Sequence, residues 1–238
     1  MNLLSTNKLG AISLIVGPTL AFVMFLIQPG GILLDTAPLS DPAGLMEAWQ
    51  GNPAMVKITS GLIMLGLALM AFGMYEVHVA HRGSRGDGLN MAGLALISVG
   101  VIAWMAVQSL VITMSSALPF QPDVAQGGWA AEFSSSAWSS IYIIRMSLLL
   151  SGGVAVSAGL LLFALSVLID SRGTVFNILT WLAALAGLVG TVAWAVAIFE
   201  SSMLDSASSL GRGMYLFYVV WLITLGLRLA KEEERGEV

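Results

Sequence analysis

Six long apolar runs are the feature that most constrains how this chain can fold. Each is at least twenty residues long, and a helix of about twenty residues, rising 1.5 Å per residue, crosses a hydrocarbon layer roughly 30 Å thick. Because backbone polar groups inside a bilayer must bond within their own segment, such isolated runs predict helices. The runs cover residues 8–28, 53–80, 89–112, 137–169, 174–199 and 211–230. The sequence therefore predicts an all-α, polytopic bundle of six transmembrane helices.

The composition of the chain agrees with this class. It is 57% hydrophobic and 10% charged, whereas soluble proteins average about one quarter charged residues. The longest segments outside the runs are 29–52 and 113–136, too short for a separate domain of the usual fifty residues or more. We therefore expect one integral membrane domain over residues 1–238. Since the chain has no cysteine, disulfides and thiolate-bound metals are excluded.

The placement of lysine and arginine predicts the orientation. An even number of spans puts both termini on one side of the membrane, and positive charge beside short loops resists translocation. We therefore expect cytoplasmic termini in a cell membrane, with segments 29–52 and 113–136 facing outward. The net charge of −4 gives no basic patch for a nucleic-acid partner. The terminal side would hold seven of the ten basic residues, namely Lys8, Arg82, Arg85, Arg172, Arg228, Lys231 and Arg235.

An internal repeat of helical hairpins is a second hypothesis about the fold. A shift of 90 residues superimposes residues 82–84 on 172–174 and residues 100–104 on 190–194. The sixth and first runs could form a third hairpin, since Gly10 and Gly17 share the spacing of Gly93 and Gly100. Such a repeat would be parallel, about an axis along the membrane normal. The alternative is a chance match within a restricted Leu, Ala, Gly and Val alphabet.

Small residues at helical spacing predict close helix contacts. Such faces let backbones approach and gain dispersion contacts in lipid. They can pack the bundle internally or contact another subunit, and internal packing is the simpler interpretation. The small residues in question are Ser151, Ala155 and Gly159 on the fourth run, with Ala183 and Gly187 on the fifth.

Aromatic residues gather near the predicted outer boundary. An interfacial belt of tryptophan and tyrosine is typical of membrane proteins, and stacking on a cofactor is the alternative. The residues are Trp49, Trp129, Trp138 and Tyr142, with Trp104 and Trp194 slightly deeper.

The candidate site is a possible outer-rim cluster of Lys57, Arg145 and Glu200, which lie at similar depths near the ends of three runs. Cations beside a carboxylate could bind an anionic head group or a small polar ligand. The alternative is that each long side chain reaches the membrane interface independently.

Signatures of catalysis and of metal binding are weak. Glu76, His78 and His81 crowd one end of the second run, but their spacing does not put three ligands on one helix face. We find no HExxH, GxSxG or phosphate-binding loop. We therefore assign no catalytic residue, no cofactor and no metal, and an enzymatic role is not favoured.

Three functions remain open at this stage. The first expectation is a non-catalytic subunit or scaffold of a larger membrane complex, in contact with lipid and with other subunits or copies of itself. The second is a carrier or binding protein for a small apolar or amphiphilic ligand. The third is an enzyme that modifies lipid in the outer leaflet. We expect ionisable residues to be confined to helix ends, and this favours the scaffold, because transport and catalysis usually place such residues deep in the membrane.

Overall fold

The fold is a bundle of long antiparallel helices. A computed structural model describes residues 6–116, 129–170 and 174–234. Within these ranges it is all-helical, with seven α-helices and a 3₁₀ turn at Ser201–Met203 before the last helix. The α-helices are α1 (Thr6–Ile27), α2 (Pro42–Gly51), α3 (Pro53–Ala80), α4 (Asp87–Ser116), α5 (Trp129–Asp170), α6 (Thr174–Phe199) and α7 (Leu204–Glu234).

Six of these helices are long and apolar enough to cross a membrane, which confirms the prediction of a multi-pass helical membrane protein. The short α2 is the exception among the seven. The candidate spans are Lys8–Ile27, Pro53–Ala80, Asp87–Ser116, Ser136–Ile169, Val175–Phe199 and Ser201–Lys231.

The six long helices form a ring in chain order. Each packs against the next, and α7 returns to pack against α1. Near one end of the ring, an added Cβ on Gly10 of α1 would lie 3.6 Å from Leu229 of α7, so the beginning of α1 and the end of α7 lie together. We call this the terminal end of the bundle. The opposite end carries α2, and we call it the α2 end.

Glycines set the separation between α1 and α3 and between α4 and α5. An added Cβ on Gly17 would lie 2.5 Å from the backbone N of Met70 and 2.8 Å from the carbonyl O of Gly66. On Gly100 it would lie 2.8 Å from the carbonyl O of Gly152. Only glycine permits backbones to approach this closely.

Both helix pairs have a second glycine contact, about two helical turns away from the first. An added Cβ on Gly73 of α3 would lie 2.9 Å from the carbonyl O of Gly10 on α1. On Gly159 of α5 it would lie 2.7 Å from the carbonyl O of Gly93 on α4. The α1–α3 and α4–α5 crossings therefore use glycines in the same geometry.

The predicted small-residue faces pack mainly inside the bundle. Gly159 contacts α4, Gly187 packs against Leu161 of α5, and Ala183 is buried. Internal packing is thus confirmed for these three residues, while Ser151 is exposed.

The segment between α1 and α3, residues 28–52, is folded over the α2 end. A polar residue followed by proline begins α2, and another begins α3. Asp41 accepts the N–H of Gly44 at the start of α2, and Asn52 accepts the N–H of Met55 at the start of α3. Buried apolar side chains of α2 pack on α3, α4 and α5. The central residues of the second long segment, 117–128, lie outside the described residues, as do the side chains of Trp129 and Glu132.

Candidate ligand-binding cavity

A cavity of about 130 Å³ lies inside the ring, towards the α2 end. All seven helices contribute to its wall, which is mainly apolar and aromatic. Its polar groups are two arginines, two glutamines, a serine and a tyrosine: Arg145, Arg212, Gln28, Gln108, Ser208 and Tyr215.

Arg145 is the most deeply buried charged group in this wall. Its exposed fraction is 6%. The guanidinium carbon lies 4.8 Å from the ring centroid of Trp49 and 5.8 Å from that of Tyr142. Such cation–π contacts offset part of the cost of removing the charge from water. Among the described residues, the Nε–H group has no hydrogen-bond partner and no carboxylate lies within 4.0 Å of the guanidinium. One terminal nitrogen donates weakly to the sulfur of Met146 at 3.3 Å.

Arg212 enters the cavity from α7. It is partly buried, and its guanidinium carbon lies 5.5 Å from the ring centroid of Phe25 on α1. Its Nε–H group is buried without a partner, and among the residues that the structure describes it makes no ion pair. Two positive charges therefore face one cavity, and no Asp or Glu is among the described residues that line it.

Two glutamines join helices beside these arginines. Gln28 Nε2 donates to Ser60 Oγ at 2.8 Å and to Gln108 Oε1 at 2.9 Å, so both of its N–H groups are used. Neither Gln28 Oε1 nor Gln108 Nε2 takes part in these bonds. Gln108 thus links helices, as expected for a lone amide in a span, and also lines the cavity.

Aromatic rings form much of the remaining wall. Tyr215 stacks on Phe22 with a centroid distance of 5.9 Å and lies 6.1 Å from Trp104. Trp194 is held between α5 and α7, since an added Cβ on Gly153 or Gly211 would each lie 2.6 Å from its ring.

The aromatic-belt interpretation is wrong for three of the tryptophans. Trp49, Trp138 and Trp194 are 2%, 6% and 7% exposed, so their rings face protein and not the lipid interface. They are buried because small residues and α2 make room for large rings inside the bundle.

Residues 29–49 close the cavity at the α2 end. Pro29, Gly30, Leu39 and Trp49 line it from this side. We call residues 29–52 the cover.

Three hydrogen bonds attach the cover to α5 and α7. The hydroxyl of Tyr142 on α5 donates to the carbonyl O of Leu39. The backbone N–H and the hydroxyl of Ser40 both donate to the carboxylate of Asp205 on α7, the former at 3.1 Å.

Of the three residues predicted to form the outer-rim cluster, Arg145 alone lines the cavity. Its side chain is buried in the bundle. Lys57 and Glu200 are exposed and are not part of the cavity wall. The hydroxyl and backbone N–H of Ser202 donate to Glu200 and lower the pKa of its carboxyl group. A joint site of all three residues stays a prediction.

The sequence analysis missed Arg212, Gln28 and Ser208 as residues of the site. A signal existed for Arg212, which is an ionisable residue inside the sixth predicted run. No sequence signal marked Gln28 or Ser208 as residues of the site, because polar residues are common at helix ends.

The histidines at the terminal end serve helix contacts. His78 Nδ1 lies 2.9 Å from Asn90 Oδ1 and 3.7 Å from Asp87 Oδ1, and Asn90 Nδ2 donates to Ser166 Oγ at 3.2 Å. This network joins α3, α4 and α5. Over the described ranges, no three His, Cys, Asp or Glu side chains are grouped to hold a metal ion.

Comparison with known proteins gives no relative: no family model, no curated protein and no solved structure matches this chain. The functional argument therefore depends on the geometry of the cavity.

Proposed function

We propose that this protein is a membrane carrier or binding protein for a small amphiphilic ligand, which occupies the cavity between its helices. One observation carries the proposal: two arginines without described carboxylate partners line an apolar cavity beneath the cover. Ligand sites are usually apolar pockets with a few polar groups that fix the orientation of the ligand. Burying a cation in a membrane is costly, and function is the usual reason to tolerate it.

The size of the cavity limits what it can enclose. An apolar cavity of about 150 Å³ can hold benzene, so a volume of about 130 Å³ accommodates a group of similar size. A longer ligand would extend from the cavity between helices.

Tryptophan fluorescence tests the proposal. Trp49, Trp104 and Trp194 line the cavity, and bromine quenches indole fluorescence at short range. The protein would be placed in nanodiscs of neutral phosphatidylcholine and titrated with terminally brominated octanol and octanoate. We expect at least one probe to give a saturable quenching component above the linear quenching caused by partition into lipid.

A pair of valines on α4 provides the matched control. Val107 lines the cavity and is 3% exposed, whereas Val99 is 61% exposed on the lipid side. Val107→Phe should abolish the saturable component and Val99→Phe should keep it. Ser208→Phe fills the same cavity from α7. This second filling variant shows whether a loss of quenching comes from filling the cavity or from a folding defect of Val107→Phe alone. The proposal fails if neither probe gives saturable quenching, or if both filling variants retain it.

The scaffold role and the lipid-modifying enzyme stay as untested predictions. The scaffold drew its support from the expected lack of buried ionisable groups. Arg145, buried beside the cavity, removes that support, and so we rank ligand binding above the scaffold. Contacts with other subunits or with a second copy are compatible with ligand binding.

We further infer that the termini face the cytoplasm and that the cover faces outward. The seven-to-three distribution of basic residues supports this orientation. Entry of ligand would then be from the outer leaflet or the outer aqueous phase.

A repeat of helix pairs is also proposed. Its support is the matching glycine geometry, in which Gly17 and Gly73 of the α1–α3 pair correspond to Gly100 and Gly159 of the α4–α5 pair. This correspondence pairs α1 with α4, as the shared glycine spacing predicts. The cavity would then lie near the repeat axis.

A further inference from the structure

We propose that the polar group of the ligand is an oxyanion, a carboxylate or a phosphate attached to an apolar group, and that Arg145 and Arg212 bind it. This inference rests on the proposed function and specifies the chemical class of the ligand. Its basis is the distribution of charge and unpaired donors around the cavity.

The charged side chains that line the cavity are all positive among the described residues, and the nearest described carboxylate that acts on them is Asp205, outside the wall. Arg145 and Arg212 are its charged members, and no carboxylate lines it. A buried cation is stable only when it is paired or well hydrogen-bonded. The aromatic contacts with Trp49 and Phe25 compensate in part, but they satisfy no N–H group. An anionic ligand would supply the missing negative charge.

The available donors match an oxyanion in kind. The Nε–H groups of both arginines are buried without partners, and the planar guanidinium fork fits carboxylate and phosphate oxygens with paired hydrogen bonds. The hydroxyl of Tyr215, also buried without a partner, is a third donor in the wall. A neutral ligand would leave the charge of Arg145 uncompensated and that of Arg212 offset only by Asp205, which lies outside the cavity wall, and a cationic ligand would be repelled.

The apolar wall indicates what is attached to the anion. Phe22, Ile63, Leu67, Trp104 and Leu149 surround the space beside the arginines. A fully hydrated inorganic anion would bind poorly beside these residues, because the oxygens that the arginines do not bind would lose their water. An alkyl or aromatic substituent on the anion would instead gain from burial.

A charge series of probes tests the class of the ligand. Wild-type protein in phosphatidylcholine nanodiscs would be titrated with brominated octanoate, octanol and octylammonium, and the saturable quenching would be compared. We expect the octanoate to bind at least tenfold more tightly than the octanol, and the octylammonium to show no saturable component. Saturable binding with equal or stronger affinity for octanol or octylammonium would refute the oxyanion while leaving ligand binding intact. A lack of saturable binding by all three probes would instead overturn the proposed function itself.

Three arginine variants locate the binding group. Arg145→Gln and Arg212→Gln should each reduce the preference for octanoate over octanol at least fivefold, and Arg145→Lys should reduce it less than Arg145→Gln. Arg228→Gln is the matched control, since Arg228 also lies over a ring, at 4.6 Å from Phe176, but outside the cavity. Unchanged preference in both cavity variants would contradict the assignment. If Arg145→Gln does not fold, Arg145→Lys and Arg212→Gln still test the assignment, and the wild-type charge series still tests the class of the ligand.

Competition distinguishes the source of the anion. Displacement of bound octanoate by short-chain phosphatidylglycerol would assign a lipid head group. Displacement by inorganic phosphate would assign a soluble phosphate and would contradict the need for an attached apolar group. Displacement by neither would assign a free carboxylate such as the probe itself. Each of these three results supports an oxyanion bound by the arginines.

Discussion

At the residue scale, two glycines on α3 show how the environment of one side chain decides its effect. Gly66 and Gly61 lie five residues apart on the same helix. An added Cβ on Gly66 would lie 2.6 Å from the backbone N of Ala21 and 2.6 Å from the carbonyl O of Gly17, whereas one on Gly61 would meet nothing within 4 Å. Close helix contact, and not helix propensity, therefore dictates glycine at position 66.

We predict opposite effects for alanine at these two positions. Gly66→Ala should lower the free energy of unfolding by about 1–3 kcal/mol, because backbone atoms of α1 would have to move. Gly61→Ala should be neutral or raise it by up to about 1 kcal/mol through helix propensity. Denaturation in mild detergent, followed by circular dichroism, measures both changes. Equal stability of the two variants would contradict the described α1–α3 crossing.

Gln28 gives a second prediction at this scale. Gln28→Leu should reduce stability by about 1 kcal/mol, since it leaves Ser60 Oγ and Gln108 Oε1 without their donor. Gln108→Leu should remove the same link between α1 and α4.

A double-mutant cycle tests this link directly. The combined Gln28→Leu, Gln108→Leu variant should lose clearly less stability than the sum of the two single losses, because each single change already breaks the shared bond. Additive losses, measured by the same denaturation experiment, would show that the two glutamines do not interact.

At the scale of elements, the cover connects the cavity to the surface of the bundle. Its attachment through Ser40 and Asp205 joins residues 165 positions apart in the chain. Both hydrogen bonds of this attachment are exposed, and a typical intramolecular hydrogen bond contributes only about 0.5–1.5 kcal/mol net. A small local change can therefore alter how often the cover opens, while the ring of helices stays intact.

We predict that Asp205→Ala will loosen the cover. Amide hydrogen exchange in residues 29–52 should become at least about fivefold faster, because both hydrogen bonds from Ser40 to this carboxylate are lost. Glu200→Ala is the matched control, because Glu200 is an exposed carboxylate at the same end whose hydrogen bonds within the described part of the chain are to Ser202, two residues away. Exchange mass spectrometry measures both variants. Equal exchange in the two variants would show that Asp205 does not hold the cover.

At the scale of the whole molecule, the proposed orientation can be measured by cysteine labelling. The chain has no cysteine, so single cysteines can be introduced without removing others. Gly88→Cys lies in the exposed first turn of α4, beside the short α3–α4 turn, and Ser202→Cys in the turn between α6 and α7. With a membrane-impermeant maleimide added to intact cells, we expect Ser202→Cys to react and Gly88→Cys to react only after permeabilisation. The reverse pattern would place the cover and the cavity on the cytoplasmic side.

Hydropathy could not locate those helix ends whose residues are polar. The last helix was predicted to begin at residue 211 but begins at Leu204, because its serine-rich first turns are polar although helical. This early start brings Ser208 and Gly211 to the cavity wall. The missed α2 did have a signal, since Asp41-Pro42 is a typical helix start.

The sequence by itself determined the six spans, because the tendency of a helix to enter lipid depends on the composition of about twenty consecutive residues. It could not determine which face of each helix turns inward. Lipid and protein interior are both apolar, so helices apolar on all sides carry little periodic signal. Only tertiary packing decided that Arg145, predicted near the rim, lies buried among rings from α2 and α5. The cavity likewise exists only in three dimensions, since Gln28 and Gln108 are 80 residues apart and meet through the packing of α1, α3 and α4.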